Sequence, residues 1–322
     1  MKILIIRFSS IGDIVLTSPI IRCIKKQISS AEIHFITKDI YKEIVENNIY
    51  VQKVYSINKH TDEVINELKN EQYDVIVDLH KNIRSFQIIK SLKAKQVYSY
   101  NKQTFKRWLL TSFKINLLNN HVVDRYFSAV KKLNIINDAQ GLDFFIPEEK
   151  DIPIGNLPFT HIAGFIVIVI GAKHYTKTIP KHHLEYLCKE IKVPIILIGG
   201  KEDETLGNEL SQIDAFKIMN ACGRFSITQS ASIIKRAKYV ITGDTGMMHI
   251  ATAFQKKIIS VWGSTDKKLG FIPYQNTSNT VIIENHELKC RPCNKYGSSS
   301  CPKKHFKCME DLDMQKIVDI LS

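Results

Sequence analysis

The segment at residues 243–253, Gly-Asp-Thr-Gly-Met-Met-His-Ile-Ala-Thr-Ala, constrains the fold of this chain more than any other. An apolar run at residues 239–242 precedes it, and a second apolar run begins at Lys257. This order predicts a strand, a tight turn, a short helix and another strand. The first backbone N–H groups of a helix lack internal partners, so a helix start at this turn attracts anions such as phosphates. Thr245 and His249 add polar side chains at the same place.

Short apolar runs alternate with helical patterns along most of the chain. Predicted strands lie at residues 2–7, 32–37, 51–57, 74–79, 96–99, 165–170, 194–198 and 239–242. Such alternation favours parallel sheets with helices on both faces. Three prolines fall within residues 137–160, and this stretch is interpreted as the link between two domains, 1–155 and 156–322. The helix predicted at residues 311–321 is expected to pack back on the first domain.

Bulk composition narrows the classes of partner. The 322 residues are 44% hydrophobic and carry a formal net charge of +13, which favours globular domains and an anionic partner. A lysine-rich composition without such a partner explains the charge equally well. No apolar stretch reaches the roughly 18–20 residues that cross a bilayer. Because Arg7 and Asp13 also interrupt the apolar N-terminus, a cytoplasmic location is predicted.

Three polar loops follow predicted strands, where a doubly wound sheet binds its ligands. They lie at residues 7–13, 171–180 and 198–204. Taken singly, each has a plain structural interpretation: Asp13 caps a helix, Lys173 and Lys177 are solvated, and Gly199-Gly200 forms an ordinary turn. Taken together, the loops favour a site for a phosphate-bearing ligand, because lysines and helix-start amides neutralise a diphosphate.

These motifs resemble glycosyltransferase family 9, the ADP-heptose:lipopolysaccharide heptosyltransferases. The matching parts are residues 7–13 with Thr17 and Pro19, Asp78-Leu79-His80, Arg84-Ser85, Thr176-Lys177, Pro180, Gly199-Gly200, and Asp244-Thr245-Gly246 with His249 and Ala251. The resemblance implies an α/β fold of the GT-B type, with two Rossmann-like doubly wound parallel-sheet domains facing a cleft. Acceptor would bind the N-terminal domain and donor the C-terminal domain. One departure is Ile179, where the family usually has an aromatic residue.

The resemblance also implies roles for individual residues. Asp13 would be the general base of an inverting enzyme that moves a heptose from ADP-heptose to an anionic lipopolysaccharide inner-core acceptor. The implied donor ligands are Thr176, Lys177, Asp203, Asp244, Thr245, Gly246 and His249; Glu202 and Glu204 are rivals to Asp203. The implied acceptor ligands are Ser10, Gly12, His80 and Arg84. No cofactor is expected, and peripheral contact with the inner membrane surface is a further expectation.

Other functions stay open on the sequence alone. A related transferase could use another nucleotide sugar, and a sugar-nucleotide binder could share the fold without catalysis. The positive charge also permits a nucleic-acid-binding protein with a C-terminal zinc module. The phosphate-type turns in both halves favour the transferase.

A second open question is whether four cysteines near the C-terminus bind a metal ion. Cys290, Cys293, Cys301 and Cys308 form a CxxC-x7-C-x6-C pattern, which is compatible with tetrahedral zinc, although free or partly disulfide-bonded thiols are the favoured interpretation. The remaining cysteines, Cys23, Cys188 and Cys222, lie in apolar contexts and are predicted to be core thiols. The Asp-Leu-Asp string at residues 311–313 is interpreted as a helix cap, and no essential metal is expected.

Overall fold

The structure, a computed structural model, describes residues 1–322 and divides into two compact units. The first unit comprises Met1–Gln103 and Asn120–Pro147, and the second comprises Thr104–Asn119 and Glu148–Ser322. The predicted bounds placed the 104–119 segment in the first domain and the link at residues 148–155 with it. None of the helices combines the length and the apolar character that crossing a bilayer requires.

The helices are distributed between consecutive strands of both units. In chain order they are α1 (Ile11–Val15), α2 (Ser18–Gln27), α3 (Asp62–Asn70), α4 (Ile83–Leu92), α5 (Thr104–Phe113), α6 (Val122–Val130), α7 (Lys181–Glu190), α8 (Glu204–Ser211), α9 (Ile227–Arg236), α10 (Gly246–Ala253), α11 (Lys307–Glu310) and α12 (Gln315–Leu321). The apolar helical pattern of residues 14–26 is divided between two helices, α1 and α2. Pro19 explains the break, because its ring excludes the carbonyl of Val15 from a continuous helical turn. The Ser18 hydroxyl donates to that carbonyl at 2.7 Å.

The first unit contains one five-stranded parallel sheet. Its strands are β1 (Lys2–Ile6), β2 (Glu32–Lys38), β3 (Lys53–Ile57), β4 (Val75–Asp78) and β5 (Gln96–Ser99). They lie side by side in the order β3-β2-β1-β4-β5. All residues of β4 and all but the first of β1 are buried, as expected for central strands of a parallel sheet with both faces covered.

The second unit contains a six-stranded parallel sheet. Its strands are β6 (Ile166–Val169), β7 (Ile195–Ile198), β8 (Ile218–Asn220), β9 (Tyr239–Gly243), β10 (Lys257–Trp262) and β11 (Thr280–Glu284). The spatial order is β11-β10-β9-β6-β7-β8. Both units therefore have the doubly wound topology, with a strand-order reversal at β1/β4 and at β6/β9. The predicted α/β class with two doubly wound parallel sheets is confirmed.

Apolar packing holds the first and the last segment of the second unit, which are residues 104–119 and the terminal helix α12. Leu110 and Leu118 of the 104–119 segment form a buried cluster with Leu269, against which Phe271 packs. This cluster is the physical reason that the segment belongs to the second unit. The terminal helix α12 packs against α7, and Ile317 is fully buried in the same unit's core. Contact of the terminal helix with the first domain stays a prediction.

The three cysteines predicted in apolar contexts are buried. Cys23, Cys188 and Cys222 are each at most 1% exposed, which confirms them as core thiols. Asp313 accepts a hydrogen bond from the Gln315 N–H at 3.1 Å. It lies one residue before Met314, which is the N-cap residue of α12.

Candidate active site

The loops after β1 and β4 define the ligand-binding edge of the first unit. These two strands are neighbours in the sheet, and the chain leaves them towards opposite sides. The strand ends at such a reversal leave a crevice for ligands, because the following helices cover opposite faces of the sheet. Asp13 follows β1 and His80 follows β4, so the topology brings two of the predicted site residues to this edge.

Asp13 is fixed by several polar contacts. Its Oδ1 lies 2.7 Å from Nη2 of Arg7, and its Oδ2 accepts from the backbone N–H and the hydroxyl of Ser10 at 3.2 and 3.0 Å. The Tyr126 hydroxyl donates to Oδ1 at 3.4 Å. Asp13 thus supports the start of α1 from inside its first turn, with Ser10 at the N-cap position. The other predicted neighbour, Gly12, is buried in the same turn.

The charge state of Asp13 follows from these contacts. Burial acts to raise its pKa, but the attraction of Arg7 and the hydrogen bonds from Ser10 outweigh burial and hold the pKa below the ordinary aspartate range. The side chain is 16% exposed. Asp13 is therefore an ionised carboxylate at neutral pH, rigidly oriented and open to solvent at one side.

The loop after β4 is organised by a buried carboxylate. Asp78 is 3% exposed and accepts from the N–H groups of His80 and Lys81 at 2.9 and 2.7 Å. The Ser85 hydroxyl also donates to Asp78, at 2.9 Å. These bonds fix the position of His80 relative to the strand end. Arg84 lies exposed on the first turn of α4, and no hydrogen bond or ion pair ties it to the Asp13 site.

His80 is a neutral imidazole with an unused polar atom. Its ring meets Phe8 edge-on with centroids 5.1 Å apart, and its buried Nδ1 has no hydrogen-bond partner. Burial, followed by the positive charges of Arg7 and Lys102, lowers the pKa of His80 to about 3. A neutral ring beside an ionised Asp13 can donate one hydrogen bond to a ligand hydroxyl or accept one from it.

In the second unit, the loops after β6 and β9 meet at the corresponding reversal. Nζ of Lys177 lies 2.7 Å from Oδ2 of Asp244, and the Thr265 hydroxyl donates to the same oxygen at 2.9 Å. The Asp244 side chain is 9% exposed and that of Lys177 is 16% exposed. This pairing distinguishes Lys177 from Lys173, which is exposed on the same loop.

The start of α10 lies directly after Asp244. Thr245 is the N-cap residue in an extended conformation, and its hydroxyl lies 3.0 Å from that of Thr242. Gly246 opens the helix, and His249 is 3% exposed within it. The structure therefore brings Lys177, Asp244, Thr245 and Gly246 to one strand edge, with His249 one turn further along α10.

Thr176 has a different environment from the other predicted donor ligands. Its side chain is fully buried. Its hydroxyl accepts from the Ser264 hydroxyl and from the Ser298 N–H, both at 2.8 Å. Thr176 thus joins three loops beneath the site, and direct contact with a ligand stays a prediction.

Among the three candidate acids after β7, Asp203 is the one that lies against the strand ends. Its Oδ2 accepts from the Gly200 N–H at 2.8 Å. A Cβ atom at Gly171, after β6, would approach that same oxygen to 2.2 Å, so only glycine leaves room for it. Burial raises the pKa of Asp203 above its ordinary value. Glu202 is exposed, and Glu204 is already the first residue of α8.

Arg291 was not anticipated from the sequence, yet it orders the loops of this site. It is 8% exposed and donates to the carbonyl oxygens of Gly263 and Thr265 at 2.6 and 3.0 Å. It also pairs with Glu284 at 2.9 Å. Arg291 therefore holds the Thr265 loop, whose hydroxyl binds Asp244. An arginine between two cysteines gives no periodic signal, so only the tertiary contacts reveal this role.

Comparisons with known proteins bear on the family. The model of glycosyltransferase family 9 (heptosyltransferase) matches residues 62–304. A protein named lipopolysaccharide heptosyltransferase 1 from Campylobacter coli is 26% identical over 307 residues, covering 88% of each chain.

Two solved structures share the fold. The family 9 glycosyl transferase of Veillonella parvula has a TM-score of 0.79 at 18% identity, over 99% of this chain and 95% of that chain. The heptosyltransferase WaaC of E. coli, solved with ADP-2-deoxy-2-fluoro heptose, has a TM-score of 0.68 at 21% identity, over 88% of this chain and 92% of that chain. These likenesses confirm the GT-B fold type.

The family model matches more than half of the chain, and this match establishes the family that the sequence motifs resemble. The chain belongs to glycosyltransferase family 9, the heptosyltransferase family, and is a glycosyltransferase.

Proposed function

We propose that this enzyme transfers a heptose from ADP-heptose to an anionic acceptor of the lipopolysaccharide inner core, with inversion and with Asp13 as the general base. The observation that carries the proposal is the Lys177–Asp244 pair beside the start of α10, at the strand reversal of the second sheet. The names of the C. coli relative and of the E. coli complex support the acceptor class and the ADP donor.

The donor diphosphate binds, in this proposal, where a cation and a helix start coincide. Lys177 is mostly desolvated, and charge attraction is stronger there than in bulk water. Thr245 and Gly246 present the first amides of α10, which favour negative charge. Both groups stabilise the charge that grows on the diphosphate as it leaves. Asp203 accepts from the ribose hydroxyls, and His249 contacts the donor from α10.

The negative charge of Asp244 limits which part of the donor it can contact. A carboxylate repels a diphosphate, so direct contact with phosphate oxygens would weaken binding. Its bonds to Lys177 and Thr265 instead fix the positions of two groups that donate hydrogen bonds. Asp244 is therefore proposed to position Lys177 and to accept hydrogen bonds from the donor sugar.

Asp13 supplies the base in the first unit. As the acceptor oxygen attacks the anomeric carbon, its hydroxyl proton passes to a carboxylate within hydrogen-bond reach. Attack opposite the leaving ADP inverts the anomeric centre without a covalent sugar–enzyme bond. The proposed acceptor contacts are Ser10 and Gly12, which are close to Asp13 along the chain, and His80, which follows the neighbouring strand β4. Arg84, exposed and cationic, is proposed to contact the acceptor's anionic groups.

A panel of nucleotide sugars tests the donor assignment. ADP and ADP-heptose are expected to raise the melting temperature, by roughly 4–7 °C at about 100 times the dissociation constant, because they bind only the folded chain. UDP-, GDP- and CMP-sugars should give smaller shifts at equal concentration. Release of ADP with transfer of heptose to a lipopolysaccharide inner-core acceptor completes the test. A shift by a UDP- or GDP-sugar alone would instead identify a related transferase with another donor.

Peripheral contact with the cytoplasmic face of the inner membrane is also proposed, from the surface of α5. Phe105, Trp108 and Phe113 are 67%, 44% and 59% exposed, with ring centroids 5.9 and 5.1 Å apart. Contiguous exposed aromatic rings are rare on proteins without a partner. Lys106 lies on the same helix, and basic residues beside aromatic ones are typical of contact with anionic lipid.

Sedimentation with vesicles that contain anionic phospholipid measures this contact. The double variant Phe105→Ser/Trp108→Ser is expected to lower the bound fraction by about tenfold, since each ring withdraws apolar area from water on binding. Phe216→Ser is the matched control, because Phe216 is 83% exposed in the same unit but is not part of the cluster. Equal loss in both variants, or no loss in either, would contradict a role for α5.

A further inference from the structure

Arg107, on α5, is a buried cation without a carboxylate partner. It is 5% exposed, and no aspartate or glutamate forms an ion pair or a hydrogen bond with it. The similarly buried Arg7, Arg22 and Arg291 each pair with a carboxylate, at 2.7, 2.8 and 2.9 Å. Burial of a charge without its counter-ion costs free energy, so the unpaired state of Arg107 calls for an explanation.

Two aromatic rings and one hydroxyl hold the Arg107 guanidinium in place. Its Cζ lies over the rings of Tyr296 and Phe271, at 4.8 and 5.9 Å from their centroids. Nη1 donates to the Tyr296 hydroxyl at 3.0 Å. Leu110, three residues further along α5, packs in the buried cluster with Leu269 and anchors the same side of the helix. These contacts fix the position of the cation but do not neutralise it.

Two nitrogen atoms of this guanidinium are unused. Nε and Nη2 of Arg107 are buried and have no hydrogen-bond partner. In a guanidinium the N–H groups of these two atoms point in the same direction, and together they bind two oxygens of one phosphate or carboxylate group. Buried donors without an acceptor are costly. The pair left open on Arg107 is therefore the pair that binds an oxyanion in the bidentate mode.

A second cation belongs to the same neighbourhood. Lys295 directly precedes Tyr296 and is half-buried. Burial, and then the positive charge of Arg107, lower the pKa of Lys295. The turn that carries it is ordered by Asn294, whose side-chain oxygen accepts from the N–H groups of Tyr296 and Gly297 at 2.7 Å. Two cations that repel one another on ordered elements favour an anion between them.

We propose that Arg107, Lys295 and Tyr296 bind a phosphate group, with two phosphate oxygens on Nε and Nη2 of Arg107. Two cations and the Tyr296 hydroxyl, which can donate its own proton, match the oxygens of a phosphate better than the two oxygens of a carboxylate. Tyr296 is 51% exposed, so it marks the side of the site that faces solvent. Binding makes and breaks no covalent bond.

The phosphate comes either from solution or from a phospholipid head group. The exposed rings of Phe105 and Trp108 lie on the same helix as Arg107. A head group bound at Arg107 would place lipid next to these rings, so this source rests on the membrane contact proposed for α5. A soluble phosphate compound needs no such contact. The two sources share one chemistry and differ in what else the variants change.

A group with carboxylate and imidazole atoms in proximity fits a ligand less well. Ligand atoms of Glu32, His34 and Glu71 lie within 4.8 Å of one another. However, Glu71 already pairs with Lys2 and Lys53 at 2.7 and 2.9 Å. These two ammonium groups supply the positive charge that a metal would bring, so this group is complete as an ion-pair network.

The four C-terminal cysteines, Cys290, Cys293, Cys301 and Cys308, are all free thiols. No three of their sulfurs lie within 4.8 Å of one another, the spacing that the Glu32 group reaches. The geometry therefore adds no support to a zinc site there.

The stability of Arg107→Met separates a ligand site from a structural role. In phosphate-free buffer, this variant is expected to melt at or above the temperature of the native chain, because methionine removes an unpaired buried charge. Arg22→Met is the matched control, since Arg22 is 2% exposed and pairs with Asp138 and Asp143. That variant should melt lower, by on the order of 10 °C. An equal fall in both variants would overturn the site.

Titration with inorganic phosphate measures the binding itself. It is followed by the melting temperature with saturating ADP present, so that the site near Lys177 is already occupied. The affinity for phosphate is expected to fall by at least about tenfold in Arg107→Met, the loss of one bidentate charge-assisted contact. Arg224→Met, at an exposed arginine of the same unit, should keep the native affinity. Equal affinity in the native chain and in Arg107→Met would contradict the proposal.

Sedimentation with phosphatidylcholine vesicles, with and without phosphatidylglycerol, assigns the source of the phosphate. Loss of vesicle binding in Arg107→Met, as in Phe105→Ser/Trp108→Ser, identifies a phospholipid head group. Loss of phosphate binding with native vesicle binding identifies a soluble phosphate compound. If Arg107→Met binds both phosphate and vesicles like the native chain, the site is wrong, while the membrane contact of α5 and sugar transfer are each measured on their own.

Discussion

Replacing Asp13 by asparagine is expected to lower the turnover of the proposed heptose transfer by about 10²–10⁴-fold, the usual contribution of a general base. The amide has nearly the same shape but cannot accept the acceptor proton at neutral pH. ADP affinity is expected to stay within a factor of about two, because the donor residues lie in the other unit's sheet. Steady-state rates of ADP release, together with calorimetric ADP binding, measure both quantities.

Asp13→Asn also removes the anion that pairs with Arg7. Arg7 is 7% exposed, so an unpaired guanidinium costs about 3 kcal/mol of unfolding free energy. Asp138→Asn is the matched control, since Asp138 pairs with the buried Arg22 in the same unit at 2.8 Å. That variant should lose stability and keep its turnover per folded molecule. If both variants lose turnover equally, the effect of Asp13 is structural and the general-base role is wrong.

The acid limb of the pH–rate profile gives an independent measure of Asp13. Its pKa is held below the ordinary aspartate range, so the base form persists while ordinary carboxyl groups become protonated. The limb assigned to this group is therefore expected at a lower pH than the limb of an ordinary aspartate. The same sign applies to stability: the Arg7 pairing stabilises the fold above the unfolded-state pKa and is lost as the pH falls through the folded-state pKa.

Periodicity and turn chemistry predicted the larger part of the fold. Nine of the eleven strands follow from apolar runs bounded by turn residues. β8 has only three residues, too few for a pattern, and β11 has an exposed Val281 between partly buried neighbours. The strand predicted after the central motif is β10. The structure groups the 104–119 segment with the second unit, and no pattern in the sequence indicates this, because Leu110 reaches its apolar partners, Leu269 and Phe271, only through tertiary contact.

The sequence predicted which loops form the candidate site, but not which side chains pair with one another within it. A doubly wound sheet brings its strand ends together, so topology alone placed Lys177 and Asp244 at one edge. The choice of Lys177 over Lys173, and of Asp203 over Glu202, depends on side-chain directions that sequence spacing does not encode. Arg291 is the clearest omission, because its four acceptors lie in two separate segments, at residues 263–265 and 284–285.

Lys177→Met is expected to weaken ADP binding by about 10–100-fold, the range of one charge-assisted hydrogen bond to a diphosphate. The loss has two parts. The variant lacks the ammonium that meets the phosphates, and it leaves the Asp244 carboxylate, 9% exposed, without its cation and close to an incoming anion. Calorimetric titration with ADP and with adenosine separates phosphate recognition from base recognition, since only ADP affinity should fall.

The double variant Lys177→Met/Asp244→Asn tests whether the pair acts as one unit. Removing the carboxylate that repels the diphosphate should recover part of the ADP affinity lost in Lys177→Met, so the two substitutions are non-additive. Lys173→Met is the matched control on the same loop, and its exposed side chain predicts a change of less than about twofold. An ADP affinity that depends on Lys173 and not on Lys177 would locate the diphosphate elsewhere. The coupling expected here arises because Asp244 pairs with Lys177 in the free enzyme at 2.7 Å, and a bound diphosphate competes for that ammonium group.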